Sequence, residues 1–200
     1  MKNPLIIGIT GGIGSGKTTL SDHLRREGYD VYDSDLEARR LQNEHPKIKS
    51  QLINLFGEEI YNSQGLNRSE LAKIVFAKHE LLLKLNEIVH PVVREDFRNW
   101  ILNHSSQKFV FVESAILFES GFNKLVDKVV LMTASEELRI RRVIKRDGST
   151  TEQVKARMSN QFDDKDKIPF ADYLIHTDDN LPMKDKMKKL IAQLDNDSKF

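Results

Sequence analysis

Gly11-Gly12-Ile13-Gly14-Ser15-Gly16-Lys17-Thr18 follows directly on the apolar run Leu5-Ile6-Ile7-Gly8-Ile9. Its spacing, G-x-x-x-x-G-K-[ST], is that of a phosphate-binding loop. Glycines let a backbone wrap a phosphate with successive N–H groups turned inward, in conformations that a Cβ penalises. A helix starting near Lys17 adds its positive N-terminal end. On this chemistry Gly12, Ile13, Gly14, Ser15, Gly16, Lys17, Thr18 and Thr19 hold a nucleoside triphosphate. Lys17 reaches the β- and γ-phosphates, and the Thr18 hydroxyl is a ligand to Mg²⁺.

Three further groups of residues have chemistry to offer. Asp33-Ser34-Asp35 follows the second apolar run, and ligands of doubly wound sheets sit beyond the carboxyl ends of the strands. In an extended segment the two carboxylates face one way. One can accept the proton of an attacking hydroxyl and the other can help hold Mg²⁺ through water. The competing reading makes Asp35 the cap of a helix starting at Leu36. Arg139, Arg142 and Arg146 stand at i, i+3 and i+7, a stripe suited to phosphate or to a solvated helix face; position favours phosphate for Arg142. Glu113 ends a strand, where it either faces Mg²⁺ or lies on the surface. Ile116-Leu117-Phe118-Glu119 reads as core by spacing and also suits an acceptor-pocket wall. The histidines show no metal-ligand spacing.

The elements that must position these groups alternate in type. Buried parallel strands are expected at Leu5–Thr10, Tyr29–Tyr32, Phe109–Glu113 and Lys128–Met132, with a weaker one at Asp172–Ile175. Helical patterns between them give right-handed βαβ units: an α/β fold with a doubly wound, parallel five-stranded sheet. The first helix, 18–26, should end at Gly28. Some seventy residues between the second and third strands read almost wholly as helix. Asn67 with Glu70 resembles a capping box, and Pro91 suits the first turn of a helix carrying Val92, Val93, Phe97 and Trp100. This gives a nucleotide-binding core of 1–34, 106–134 and 168–200, a helical acceptor domain of 35–105, and a helical lid of 135–167.

With 31 Lys plus Arg against 30 Asp plus Glu, the net charge of +1 gives no global basic field for nucleic acid or an anionic membrane. Zero cysteines exclude disulfides and thiolate chemistry, and no long apolar run suggests a membrane span. The expectation is a soluble cytoplasmic protein, a monomer or weak homo-oligomer.

Asn123-Lys124-Leu125-Val126 puts valine where a guanine-specific motif needs aspartate, which argues against a GTPase switch. A transporter-type ATPase would need an apolar strand ending in Asp-Glu and a signature loop, and neither is present. A small-molecule kinase remains. The chain resembles the dephospho-CoA kinase family over most of its length. The resemblance rests on Ile9 through Thr19, Asp33-Ser34-Asp35, Phe56-Gly57, Leu66-Asn67-Arg68, His90-Pro91, Leu117-Phe118-Glu119, Arg142 with Arg146, Gln161, and Ala171-Asp172-Tyr173.

The resemblance implies transfer of the ATP γ-phosphate to the ribose 3′-hydroxyl of dephospho-CoA. It implies Asp35 as base, Lys17 and Arg142 as braces of the phosphoryl group, and Asp33, Arg68, His90, Leu117 and Glu119 with Asp35 on the acceptor side. Three places depart from the family pattern. Ala115-Ile116 replaces Pro-Leu, Arg139 replaces a customary glutamine, and His176-Thr177 replaces Asp-Asn, where the family's adenine contact is expected. A kinase for another small alcohol or a nucleoside monophosphate, and an ATP-binding regulator that transfers nothing, stay open at this point.

Overall fold

The computed structural model describes residues 4–104 and 106–198, so Ser105, the expected end of the helical insertion, lies outside the described residues. The chain forms two compact units, one of 1–32 with 104–200 and one of 33–103.

The first unit is built on a parallel sheet of β1 (Leu5–Thr10), β2 (Asp30–Asp33), β5 (Phe109–Glu113), β6 (Lys128–Thr133) and β7 (Tyr173–His176), in the order β2-β5-β1-β6-β7. The short strands β3 (Tyr61–Asn62) and β4 (Gly65–Leu66) belong to the second unit. β1 is central, with Ile9 level with Glu113 on one side and with Val130 on the other. Every residue of β5 is buried, as a strand covered on both faces requires. Helix α1 (Lys17–Arg26) returns from β1, and its Leu20 and Leu24 join Ile7, Ile9, Phe109, Phe111, Val130 and Met132 in one core. Gly28 follows the helix at φ +88°, the left-handed conformation expected of it. Helices α6 (Glu136–Asp147), α7 (Thr151–Met158) and α8 (Asp164–Lys167) come between β6 and β7, and α9 (Met183–Asp197) follows. Gly148 closes α6 at φ +65°, and Thr150 with Gln153 forms a reciprocal capping box for α7. The Ser135 side chain caps nothing; its own N–H is held by both oxygens of Asp178.

The second unit contains α2 (Ser34–Glu44), α3 (Pro46–Phe56), α4 (Arg68–Ala77) and α5 (His79–Asn103). Three sequence expectations are corrected there. The hairpin β3–β4 interrupts what read almost wholly as helix. Asn62 accepts the N–H of Gln64 across its turn, and Gly65 adopts φ +105°, which marks Asn-Ser-Gln-Gly as turn chemistry. The capping box at Asn67 is half formed: Asn67 accepts the N–H of Glu70, but the Glu70 carboxylate pairs with Lys73. Pro91 starts no helix; it lies inside the 25-residue α5. Val89, Val93 and Phe97 are buried at i, i+4 and i+8 on one face of α5, while Pro91 and Glu87 are exposed. The carbonyl deprived of its partner therefore faces water, and the buried stripe carries the helix past the proline.

His90, beside that proline, is half-buried in α5. Burial, and then the charge of Arg94 one turn on, push its imidazole down from 6.5 to about 4. The folded state thus binds fewer protons than the unfolded chain between those values, so stability falls as pH drops below 6.5. From pH 7.5 to 5 the wild type should lose about 2 kcal/mol that His90→Asn does not lose. Urea unfolding followed by Trp100, the sole tryptophan, measures this within the same unit. Equal pH dependence in both proteins would contradict it.

Candidate active site

Helix α1 begins without a side-chain cap. Its N-cap is Gly16, at φ +100° and ψ 14°, and its first turn holds no acidic residue. The first amides of a helix have no partner within it, and its dipole favours an anion at that end. Here neither requirement is met by the chain's own side chains at the cap, which is the local signature of an anion site.

The loop before it is shaped by cations. Lys17 Nζ donates to the carbonyls of Gly11 at 2.8 Å and Gly12 at 3.2 Å. Arg139 Nε donates to the Ile13 carbonyl at 3.0 Å, and Arg142 Nη1 to the Gly14 carbonyl at 3.3 Å. The Thr177 hydroxyl donates to the Ser15 carbonyl at 3.0 Å. Five consecutive carbonyls are thus held by side chains, four of them by positive charge. Two glycines make this approach possible. A Cβ on Gly12 would lie 1.9 Å from Arg139 Nη2, and one on Gly14 would lie 2.6 Å from the Arg139 carbonyl, at φ +81° besides.

Arg142 is itself anchored: Nη1 donates to the Thr177 hydroxyl and Nη2 to the Thr177 carbonyl, both at 2.8 Å. Thr177 therefore ties α6 to the loop. His176 Nδ1 lies 2.8 Å from the Thr133 hydroxyl. The arginine stripe divides, since Arg146 turns away to Asp147, whose carboxyl it holds down at about 2 together with Arg157.

On the other flank the Thr18 hydroxyl donates to Glu113 Oε1 at 2.8 Å. Glu113 is buried, not a surface glutamate, and its Oε2 has no hydrogen-bond partner among the described residues. Glu119 accepts the N–H of Phe162 at 2.8 Å and lies 3.6 Å from Lys167 Nζ, a fully buried amine; Glu119 thus fastens the end of α7 and α8 to the segment after β5. Leu117 is fully buried, its methyls 3.1 Å from where a Gly8 Cβ would sit, so it packs behind β1. The sequence reading missed Arg139 as a loop contact, although the stripe spacing contained it. Nothing local to Thr177 announced its part, which depends on pairing between β6 and β7.

Within the second unit Asp33 is the cap of α2, accepting the N–H groups of Asp35 at 3.1 Å and Leu36 at 2.9 Å. The helix therefore starts at Ser34, and Asp35 is an exposed residue of its first turn instead of the cap. Arg68 donates to Gln42 Oε1 at 2.8 Å and to the Arg39 carbonyl at 2.9 Å; burial, and then Arg39, lower its pKa.

The sequence model of the dephospho-CoA kinase family matches residues 5–183. A dephospho-CoA kinase of Bacteroides fragilis is 39% identical over 188 residues, 94% of this chain and 92% of that protein. One from Porphyromonas gingivalis is 42% identical over 157 residues, 78% of this chain and 77% of its own. Among solved structures, dephospho-CoA kinase from Campylobacter jejuni superposes with a TM-score of 0.69 at 26% identity, covering 96% of this chain and 98% of the other. A shikimate kinase from Acinetobacter baumannii, at 18% identity and a TM-score of 0.56, covers 97% of this chain and 94% of its own and shares the fold alone.

Thr177→Val keeps the shape but leaves the Ser15 carbonyl and the Arg142 guanidinium each short of one buried partner. It should cost about 2 kcal/mol in chemical unfolding. A variant as stable as wild type would show that this hydroxyl does not bind the loop to β7.

Proposed function

The chain belongs to the dephospho-CoA kinase family, and from that premise we propose how its own residues carry the reaction. It is an enzyme that phosphorylates dephospho-CoA with ATP, at the ribose 3′-hydroxyl, in the last step of coenzyme A synthesis. The observation that supports our assignment of its parts is the run of five side-chain-held carbonyls ahead of an uncapped helix. With the carbonyls held, the amides of Gly14 and of Gly16 through Thr19 are left to converge on a polyphosphate, while that of Ser15 donates to the Gly12 carbonyl at 3.1 Å.

ATP lies along Gly12, Ile13, Gly14, Ser15, Gly16, Lys17, Thr18 and Thr19 in this reading. Lys17 leaves the Gly11 and Gly12 carbonyls for the β- and γ-phosphates, a gain because a full charge replaces two carbonyl dipoles. Arg142, already ordered by Thr177, braces the transferred phosphoryl group. Asp35 takes the proton of the 3′-hydroxyl as its oxygen bonds to the γ-phosphorus and the bridge to the β-phosphate breaks, releasing ADP. Its exposed place in the first turn of α2 supports this, since Asp33 already does the capping. Asp33, Arg68 and His90 serve the acceptor side. Arg68, bound to Gln42 and Arg39, and His90, held neutral by burial, act there by position and shape. Leu117, fully buried behind β1, and Glu119, which fastens α7 and α8 to the segment after β5, serve the acceptor by supporting their own unit.

Mg²⁺ fits this donor set: the Thr18 hydroxyl adjoins a buried, unpartnered carboxylate oxygen of Glu113. Mg²⁺ held by these two side chains would keep several waters and take its other ligands from phosphate. When bound, it neutralises charge on the β- and γ-oxygens. Residues 135–167 act as the lid over the phosphates, 35–105 as the acceptor domain, and the remainder as the core. No described helix is long and apolar enough to cross a membrane. We place the reaction in the cytoplasm, with ATP and dephospho-CoA as the partners and no nucleic acid.

Incubation with ATP, Mg²⁺ and dephospho-CoA should yield the 3′-phosphorylated product, read by mass spectrometry. Asp35→Asn should lower kcat by about 10²–10⁴ while ATP binding stays within a few-fold. A loss below about tenfold would remove Asp35 as the base, and faster turnover of another alcohol would reassign the substrate.

A further inference from the structure

Ile13 is the one residue between Gly11 and Gly14 that has a side chain, and both polar groups of its backbone are held by side chains distant in sequence. Its N–H donates to Gln161 Oε1 at 2.9 Å and its carbonyl accepts from Arg139 Nε at 3.0 Å. Each holder is fixed at its other end. Gln161 Nε2 donates to the Ala115 carbonyl at 3.0 Å, so only one orientation of the amide satisfies both bonds. Arg139 Nη1 lies 3.2 Å from Asp164, with the arginine side chain 11% exposed and the aspartate 18%. Gly12 and Gly14 admit this arginine where any Cβ would collide with it.

We infer that Arg139 and Gln161 are positioning residues that clamp Ile13 from both sides and thereby set the shape of the phosphate loop for ATP. The inference rests on ATP occupying that loop and goes beyond the roles assigned above, in which Arg139 is only one of several carbonyl donors and Gln161 has no part. Both belong to the segment read as the lid. The clamp therefore makes lid position and nucleotide affinity reciprocal: displacing the segment strips Ile13 of two hydrogen bonds, and bound nucleotide that needs the loop's shape holds the segment down. Arg139 is suited to this because its guanidinium spans two fixed acceptors in one plane, the Ile13 carbonyl and the Asp164 carboxylate. Arg139 thereby links the loop to Asp164 at the start of α8.

The test uses the full chain as wild type, Arg139→Ala, Gln161→Ala, the double variant and Asp164→Asn. A non-hydrolysable ATP analogue with Mg²⁺ is titrated by calorimetry, and KM for each substrate, kcat and Tm are recorded. Each single alanine variant should weaken analogue binding about five- to twentyfold and raise KM for ATP in parallel. KM for dephospho-CoA should stay within twofold and Tm within a few degrees. The double variant should bind only slightly worse than the poorer single, because both side chains hold one residue, Ile13, through the peptides on its two sides. Asp164→Asn should reproduce part of the Arg139→Ala effect while retaining the arginine. Unchanged analogue affinity in the single variants would overturn the clamp. So would losses that multiply independently in the double, or a fall in kcat alone, which would make Arg139 a ligand of the phosphoryl group. Wild type that binds the analogue but leaves dephospho-CoA untouched would remove the kinase reading and leave the binding arm of the test standing.

Discussion

The loop between β1 and α1 keeps its shape because its carbonyls are held by partners outside it. A backbone that presents several N–H groups to one ion must direct its carbonyls elsewhere, and each buried carbonyl then needs a donor. Lys17, Arg139, Arg142 and Thr177 provide those donors for Gly11 through Ser15. The constraint extends outward. Arg142 needs Thr177, Thr177 needs β7 beside β6, and Arg139 needs Asp164 at the start of α8. Parts of the C-terminal half of the chain thus act, with Lys17, to hold five residues near its start.

The same arrangement explains the concentration of positive charge at a point where the protein's overall charge is only +1. Three cations gather on dipoles that satisfy them weakly compared with phosphate. Arriving polyphosphate gives Lys17 anionic partners in place of its carbonyls while Arg139 keeps its hold on Ile13, and the scaffold has already borne the cost of bringing the cations together. The uncapped start of α1 adds to the same end.

What was legible in the sequence follows from the range of each interaction. The phosphate loop, the buried strands and the Gly28 helix end are set by local spacing and backbone conformation, and they were read within a residue or so. Competing local signals were less decisive. Asp33 and Asp35 are both good caps, and only the backbone geometry selects Asp33. Pro91 signals a helix start, but the buried stripe of Val89, Val93 and Phe97 overrides it. Asn62 through Gly65 carried turn chemistry that the surrounding helical pattern concealed. Contacts at long separation, such as Ile13 with Gln161 or Ser15 with Thr177, leave no local mark, because their partners come together only through strand order.

The most direct measurement of the central claim is the amide NMR spectrum of the ¹⁵N-labelled protein titrated with Mg²⁺ and ATP. A nucleotide seated in a preformed ring of amides should move the N–H resonances of Gly14 through Thr18 first and furthest, saturating at one equivalent, with the Lys17 ammonium released from its carbonyls. Saturable ATP binding that leaves those five amides where they were would contradict the account.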